Sequence, residues 1–144
     1  MPKKINYKNK EIFYKFRVDV YSYTILFSYN QTNDDFFNSV NDYYKSIGIA
    51  KIKNDSDINI VKKDDCSGLT LFLSHNTIAI RLFNHTCKNM DYLMDTIAHE
   101  SLHATLKILD DLGVVYDTNA DEAYCYLLGF IVNKIVGKLM MDKN

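Results

Sequence analysis

Ile97-Ala98-His99-Glu100-Ser101-Leu102-His103 contains the pattern His-Glu-x-x-His within a run of helical periodicity. Residues four apart lie on the same face of a helix, one turn from each other. His99 and His103 can therefore direct imidazole nitrogens at one metal ion, at roughly 2.0–2.1 Å if the metal is zinc. Glu100 lies beside the line that joins them, where its carboxylate can take a proton from metal-bound water. The pattern predicts a zinc site on a helix.

Each of these residues also has an interpretation that involves no metal. His99 and His103 could be unrelated residues on a polar helix face, and Glu100 could be a solvated helix residue. Histidine is scarce, however, with four in 144 residues, and two of the four flank a glutamate at ligand spacing. We therefore expect one zinc ion per chain, with Glu100 as the general base.

Glu122 is the candidate third ligand. A catalytic zinc site takes three protein ligands and leaves a fourth position for water. Glu122 falls in the first turn of the predicted last helix, with 18 residues between it and His103. A connection this short should return the last helix beside the motif helix. Asn119-x-x-Glu122 is also a capping-box pattern, which would explain the glutamate without a metal.

Periodicity in the first half of the chain predicts a small sheet and a short helix. Residues 16–29 are aromatic and β-branched, and their apolar set changes phase near Tyr21, which indicates a strand or a bent strand pair. Spacings of three and four from Phe36 to Ile47 predict a helix that stops at Gly48. Residues 1–15 are expected to be a loose lead-in.

The second half is predicted to contain a hairpin and two long helices. Residues 69–73 and 77–83 flank Ser74-His75-Asn76 as a β-hairpin with one polar face. Helical periodicity then covers 89–112, with Gly113 as a C-terminal cap, and 119–141. Residues 48–67 are expected to be mostly loop, with a short strand near 58–61. The order is β-α-β-β-α-α, an α+β fold.

The charge balance indicates which partners the chain could bind, and its cysteines indicate the cellular compartment. Seventeen basic and eighteen acidic residues give a net charge of −1, which argues against nucleic acid and anionic membrane surfaces. No uncharged apolar run approaches 18 residues, so we expect no membrane span, and the N-terminus has no signal-peptide pattern. Cys66, Cys87 and Cys125 are odd in number and widely spaced. This favours a reducing cytoplasm over a disulfide framework.

The motif and its downstream glutamate resemble the gluzincin metallopeptidases. More narrowly, HESLHATLKILDDLGVVYDTNADEAYCYLLGFIVNKI, preceded by GLTLFLSHNTIAIRLF, is similar to small phage-encoded metallopeptidase-like proteins. The resemblance covers about residues 68–137. It implies that His99, His103 and Glu122 bind zinc and that Glu100 is catalytic. It also implies one zincin-like domain over 1–144, with a small mostly antiparallel sheet, a His-Glu-x-x-His helix and a long C-terminal helix.

Two departures from the gluzincin pattern leave roles open. The chain is too short for the second domain that completes the cleft in large gluzincins, and Tyr126 stands where an aspartate would orient a ligand histidine. That histidine partner could instead be Asp95, Asp117, Asp121 or a backbone carbonyl. Candidate donors to an oxyanion are Tyr116, Tyr124, His75 and His85. The strand at 77–83 could offer an edge to an extended peptide.

Two functions from different classes remain. The first is a zinc metallohydrolase, a peptidase acting on peptide or protein substrates in the cytoplasm of a phage-infected bacterium. The second is a phage accessory or virion-associated protein that keeps the fold, with or without zinc, to bind a partner. Substitution of Glu100 by Gln separates them, because hydrolysis requires this carboxylate and partner binding does not.

Overall fold

The computed structural model describes residues 10–50, 67–83 and 90–141, which form a small α+β fold with a mixed four-strand sheet and three helices. A single 3-10 turn, Asp19–Tyr21, joins the first two strands. The elements in chain order are β1 (Ile12–Val18), β2 (Tyr23–Tyr29), α1 (Asn33–Ser46), β3 (Gly68–Leu73), β4 (Thr77–Leu82), α2 (Met90–Asp111) and α3 (Asp121–Met141). The strand predicted near 58–61 lies outside the described residues.

Of the two alternatives for residues 16–29, the bent strand pair is confirmed, so the predicted element order, which counted one strand there, was wrong by one strand. β1 and β2 pair antiparallel from Ile12↔Tyr29 to Val18↔Tyr23. The phase change near Tyr21 marks the turn between them, where Ser22 adopts a left-handed backbone with φ 55°. β1 also begins inside the expected lead-in of 1–15. The observed order among the described elements is therefore β-β-α-β-β-α-α.

The sheet has the strand order β1-β2-β4-β3. The pairs β1–β2 and β3–β4 are antiparallel, while β2 and β4 run parallel from Thr24↔Thr77 to Tyr29↔Leu82. The expectation of a mostly antiparallel sheet is confirmed. β4 is bonded on both sides, so the prediction that 77–83 offers an edge was wrong. β3 lies at the sheet edge instead.

The helices cover both faces of the sheet. α1 packs on the face that carries Leu26 and Ala79, and α2 and α3 pack on the opposite face. The hairpin therefore lacks the predicted polar face, since β4 is buried along its whole length. Arg81 is 1% exposed and stacks between the rings of Phe36 and Phe83, with its guanidinium carbon 4.3 and 4.8 Å from their centroids.

Glycines end the predicted helices where the sequence placed them. Gly48 follows α1 with φ +78° and Gly113 follows α2 with φ +74°, the left-handed conformation that glycine adopts without strain. Thr32 caps α1, accepting a hydrogen bond of 3.1 Å from the Asp35 amide. The three-residue turn of the hairpin is also confirmed, with His75 at φ 60°.

α3 is apolar over most of its circumference. By length and composition alone it could cross a membrane, although core helices of soluble proteins pass the same test. The expectation that the chain has no membrane span therefore stays a prediction.

Candidate metal centre

His99 and His103 project from the exposed face of α2 toward one point. Their Nε2 atoms lie 3.2 Å apart, and the side chain of His99 is 66% exposed. Two nitrogens bound at 2.0–2.1 Å to a tetrahedral zinc would be about 3.3 Å apart. The observed separation therefore fits two ligands of a single zinc ion, as the i, i+4 spacing predicts.

Glu100 lies beside the histidine pair but under the sheet edge, with 7% of its surface exposed. Its Oε1 is 4.0 Å from Nε2 of His99. Its Oε2 lies 2.6 Å from the Thr70 hydroxyl, which donates to it and also lies 3.0 Å from the backbone carbonyl oxygen of Glu100. One carboxylate oxygen is thus held by β3, and the other lies on the side of the histidines. This division of roles suits a carboxylate that must keep one orientation while it exchanges a proton.

Edge strand β3 makes room for the Glu100 side chain at Gly68. A Cβ built on Gly68 would lie 2.9 Å from Cγ of Glu100 and 2.8 Å from Cγ2 of Thr96. Gly68 and Thr70 are two positions apart, so both face α2. Sequence reasoning missed these two residues. Thr70 falls in the predicted hairpin arm and Gly68 just before it, but only the sheet order shows that β3 lies against Glu100.

Glu122 lies in the first turn of α3 and is exposed. Within residues 10–50, 67–83 and 90–141, no group of three or more His, Cys, Asp or Glu side chains could hold a metal ion. Glu122 therefore does not complete a three-ligand group with His99 and His103 in this structure. One reason is axial distance, because His103 lies eight residues, or about 12 Å of helix, before α2 ends at Asp111. Its role as a ligand stays a prediction.

Three other candidate residues, on the connection between α2 and α3 or in the first turn of α3, have structural partners. Tyr116 and Tyr124 pack edge to face, with centroids 4.9 Å apart, and the Tyr124 hydroxyl donates to the Val114 carbonyl at 2.8 Å. The Asp117 carboxylate accepts from the amides of Asn119 and Ala120 at 2.8 and 2.9 Å. These contacts fix the path of the chain into α3.

The remaining candidates are spread over other parts of the chain. His75 lies in the hairpin turn, with Nδ1 3.0 Å from the Ser74 hydroxyl. Asp95 is exposed on α2 and Asp121 is half-buried at the start of α3. His85 lies outside the described residues. None of these roles is tested by the geometry described above.

Comparisons of the chain with protein-family models, with curated proteins and with solved structures find no match. The zincin-like assignment therefore depends on the chain's own residues.

Proposed function

We propose that the protein is a zincin-like, zinc-dependent metallohydrolase that cleaves peptides. One observation carries this proposal: the Nε2 atoms of His99 and His103 lie 3.2 Å apart, and Nε2 of His99 lies 4.0 Å from Oε1 of Glu100. His99 and His103 would hold the metal. When bound, zinc supplies a Lewis acid and a water molecule of lowered pKa. A third ligand is required as well, and Glu122 is the candidate from the sequence.

Glu100 is the residue that would move the proton. Oε1 takes a proton from the attacking water and later passes it to the nitrogen of the leaving amine. The hydrogen bond from Thr70 to Oε2 restrains rotation of the carboxylate, so Oε1 keeps its orientation toward the histidines.

The outer edge of β3 is the surface where an extended substrate would bind. β3 pairs with β4 on one side, and no other strand of the described ranges pairs with its second side. A peptide added there would form main-chain hydrogen bonds and lie next to the face of α2 that carries the histidines. Phe72, 54% exposed on the same strand, would contact apolar side chains of that peptide.

Two observations also favour the second function, a phage accessory or virion-associated binding protein. Glu100 is 7% exposed, and the described residues supply two histidines without a third grouped ligand. A binding protein needs neither an accessible general base nor a complete set of metal ligands. The proposed location of the hydrolase is the cytoplasm of an infected bacterium, and that of the binding protein is the virion.

The deciding experiment compares peptide cleavage by zinc-loaded wild type and by Glu100→Gln. Wild type should cleave members of an unbiased peptide library, and Glu100→Gln should lose cleavage while keeping its zinc. His103→Ala should lose both. Cleavage that survives in Glu100→Gln contradicts the proposed mechanism. Zinc binding without cleavage of any peptide favours the binding protein.

A further inference from the structure

The two edge strands of the sheet differ in composition. β1, at one edge, carries Lys15 and Arg17 among its seven residues. β3, at the other edge, has the sequence GLTLFL, which contains neither a charged residue nor a proline. Charges and prolines on an edge strand are common barriers to its pairing with a further strand. β3 therefore has the composition of an edge that accepts a partner strand.

The register of the hairpin shows which main-chain groups of β3 are available to such a strand. The Phe83 amide donates to the Ser67 carbonyl at 2.9 Å, so the main chain of Ser67 faces β4. This orientation alternates from residue to residue along an antiparallel pair. The main-chain groups of Gly68, Thr70 and Phe72 therefore point away from β4. An added strand would form its hydrogen bonds with these three residues.

The same residues of β3 direct their side chains toward α2. The Thr70 hydroxyl donates to Oε2 of Glu100 at 2.6 Å, and the centroid of the Phe72 ring lies 5.6 Å from Nζ of Lys107. Leu71, between them, packs on the opposite face with the α1 cluster. Residues paired across two strands have side chains on the same face. A substrate residue paired with Thr70 would therefore lie beside Glu100, and the residue paired with Phe72 would lie about 7 Å further along the strand.

We propose that Phe72 is a specificity-determining residue, which selects an aromatic side chain two positions from the substrate residue beside Glu100. The inference rests on the proposed peptidase function, because it names the substrate class of that site. Phe72 is 54% exposed, and the paired substrate side chain would cover its ring. Aromatic side chains paired across two strands stabilise the pairing through contact between their rings.

An acidic substrate residue fits the same position less well. Lys107 lies over the Phe72 ring and could attract a carboxylate. Its ammonium already forms an ion pair with Oδ1 of Asp111 at 2.8 Å, and the Tyr23 hydroxyl donates to the Asp111 carboxylate as well. Because this ion pair is neutral as a whole, apolar contact with Phe72 decides the preference.

Kinetics on matched peptides test the preference. A peptide that zinc-loaded wild type cleaves is prepared with phenylalanine or with serine at each position in turn. At the position paired with Phe72, phenylalanine should raise kcat/KM at least about five-fold over serine, chiefly through KM. In Phe72→Ala this ratio should fall to about one. Tyr126→Ala removes a ring that is 76% exposed on α3, and this matched control should keep the ratio.

A second variant separates lost specificity from lost folding. Phe72→Leu keeps an apolar side chain at the same place on β3. It should retain a preference for phenylalanine over serine that is smaller than that of wild type. Circular dichroism should show that Phe72→Leu, Phe72→Ala and Tyr126→Ala are all folded.

Equilibrium binding gives a readout that does not depend on hydrolysis. The probe is a fluorescein-labelled heptapeptide of alternating threonine and valine, with phenylalanine or serine at its centre, and the protein carries Glu100→Gln to prevent cleavage. Fluorescence anisotropy should show at least about five-fold tighter binding of the phenylalanine peptide. Adding Phe72→Ala should remove this difference. Such selective binding, with no cleavage of any peptide by wild type, would reject the hydrolase and still support the role of Phe72.

Two results would overturn the inference. Equal ratios of phenylalanine to serine in wild type and Phe72→Ala would reject the role of Phe72 while leaving the hydrolase intact. A doubling of molecular mass in sedimentation equilibrium that Phe72→Ala abolishes would instead assign the edge of β3 to a second copy of the chain.

Discussion

The hydroxyl oxygen of Thr70 lies 2.6 Å from Oε2 of Glu100 and joins edge strand β3 to the helix of the metal motif. Thr70→Val keeps the shape of the side chain but leaves a buried carboxylate oxygen without this donor. We expect a loss of about 1–3 kcal/mol in the free energy of unfolding, measured by urea denaturation. Thr70→Ser should lose less, because it keeps the hydroxyl.

A double-mutant cycle isolates that hydrogen bond from other effects. In a Glu100→Met background, the Thr70 hydroxyl keeps only the backbone carbonyl of residue 100 as an acceptor, at 3.0 Å. Thr70→Val should therefore cost less free energy of unfolding there than it does in wild type. Equal costs in the two backgrounds would show that the Thr70–Glu100 contact contributes nothing.

Gly68→Ala tests the niche that β3 provides for Glu100. The new methyl would lie within 3 Å of side-chain carbons of Thr96 and Glu100, so we expect destabilisation of about 1–3 kcal/mol from overpacking. Gly137→Ala is the matched control, since it meets no atom within 4 Å. That change should stabilise α3 by about 0.5–1 kcal/mol. Similar destabilisation by both substitutions in thermal melts would contradict the claim that Gly68 leaves space for the Glu100 side chain.

Tyr23 and Asp111 connect β2 to the end of α2, and their contribution to stability depends on pH. The Tyr23 hydroxyl donates to the Asp111 carboxylate. Hydrogen bonds from Lys107 and Tyr23 hold the pKa of Asp111 below its usual value. Burial, together with the Asp111 carboxylate, raises the pKa of Tyr23 to about 12.

Tyr23→Phe should therefore lower the midpoint of thermal unfolding near neutral pH. The Asp111 contribution is present above the ordinary carboxyl pKa of about 4 and is lost as pH falls through the lowered value. The Tyr23 contribution is present below about pH 10 and is lost as pH rises through about 12. Melting curves of the two proteins should converge at both extremes, and a constant difference at every pH would contradict the pairing.

The local sequence predicted a helix or turn well where a clear hydrophobic periodicity is followed by a residue that ends the element. α2 and its cap at Gly113 are examples, as is the hairpin turn at His75. The pairing of strands was less accessible, because it depends on contacts between distant segments. The sequence predicted one polar face for the hairpin, but Arg81 on β4 is buried because α1 covers that face.

In the candidate site, too, the features within one helix were predicted and the contacts between distant segments were not. The spacing of His99 and His103 predicted their convergence, since one helix carries both. Gly68 and Thr70 were missed, because their contact with Glu100 requires β3 to lie at the sheet edge beside α2. Glu122 is on another helix, and the distance between two helices cannot be calculated from sequence spacing.

Glu122→Gln tests the third ligand. If Glu122 binds zinc, its substitution should weaken zinc affinity by more than the roughly 10–100-fold typical of residues outside the ligand set. Competition with a chromogenic chelator measures this affinity, and Glu11→Gln, at another exposed glutamate, is the control. Equal affinities in both variants would place the third ligand elsewhere.

The zinc content of the purified chain, measured by mass spectrometry beside His103→Ala, tests the metal centre most directly. We predict one zinc per wild-type chain and none in His103→Ala, with both proteins folded by circular dichroism. Wild type without stoichiometric zinc after zinc is supplied, or equal zinc in the two proteins, would contradict the metal centre and the hydrolase proposed from it.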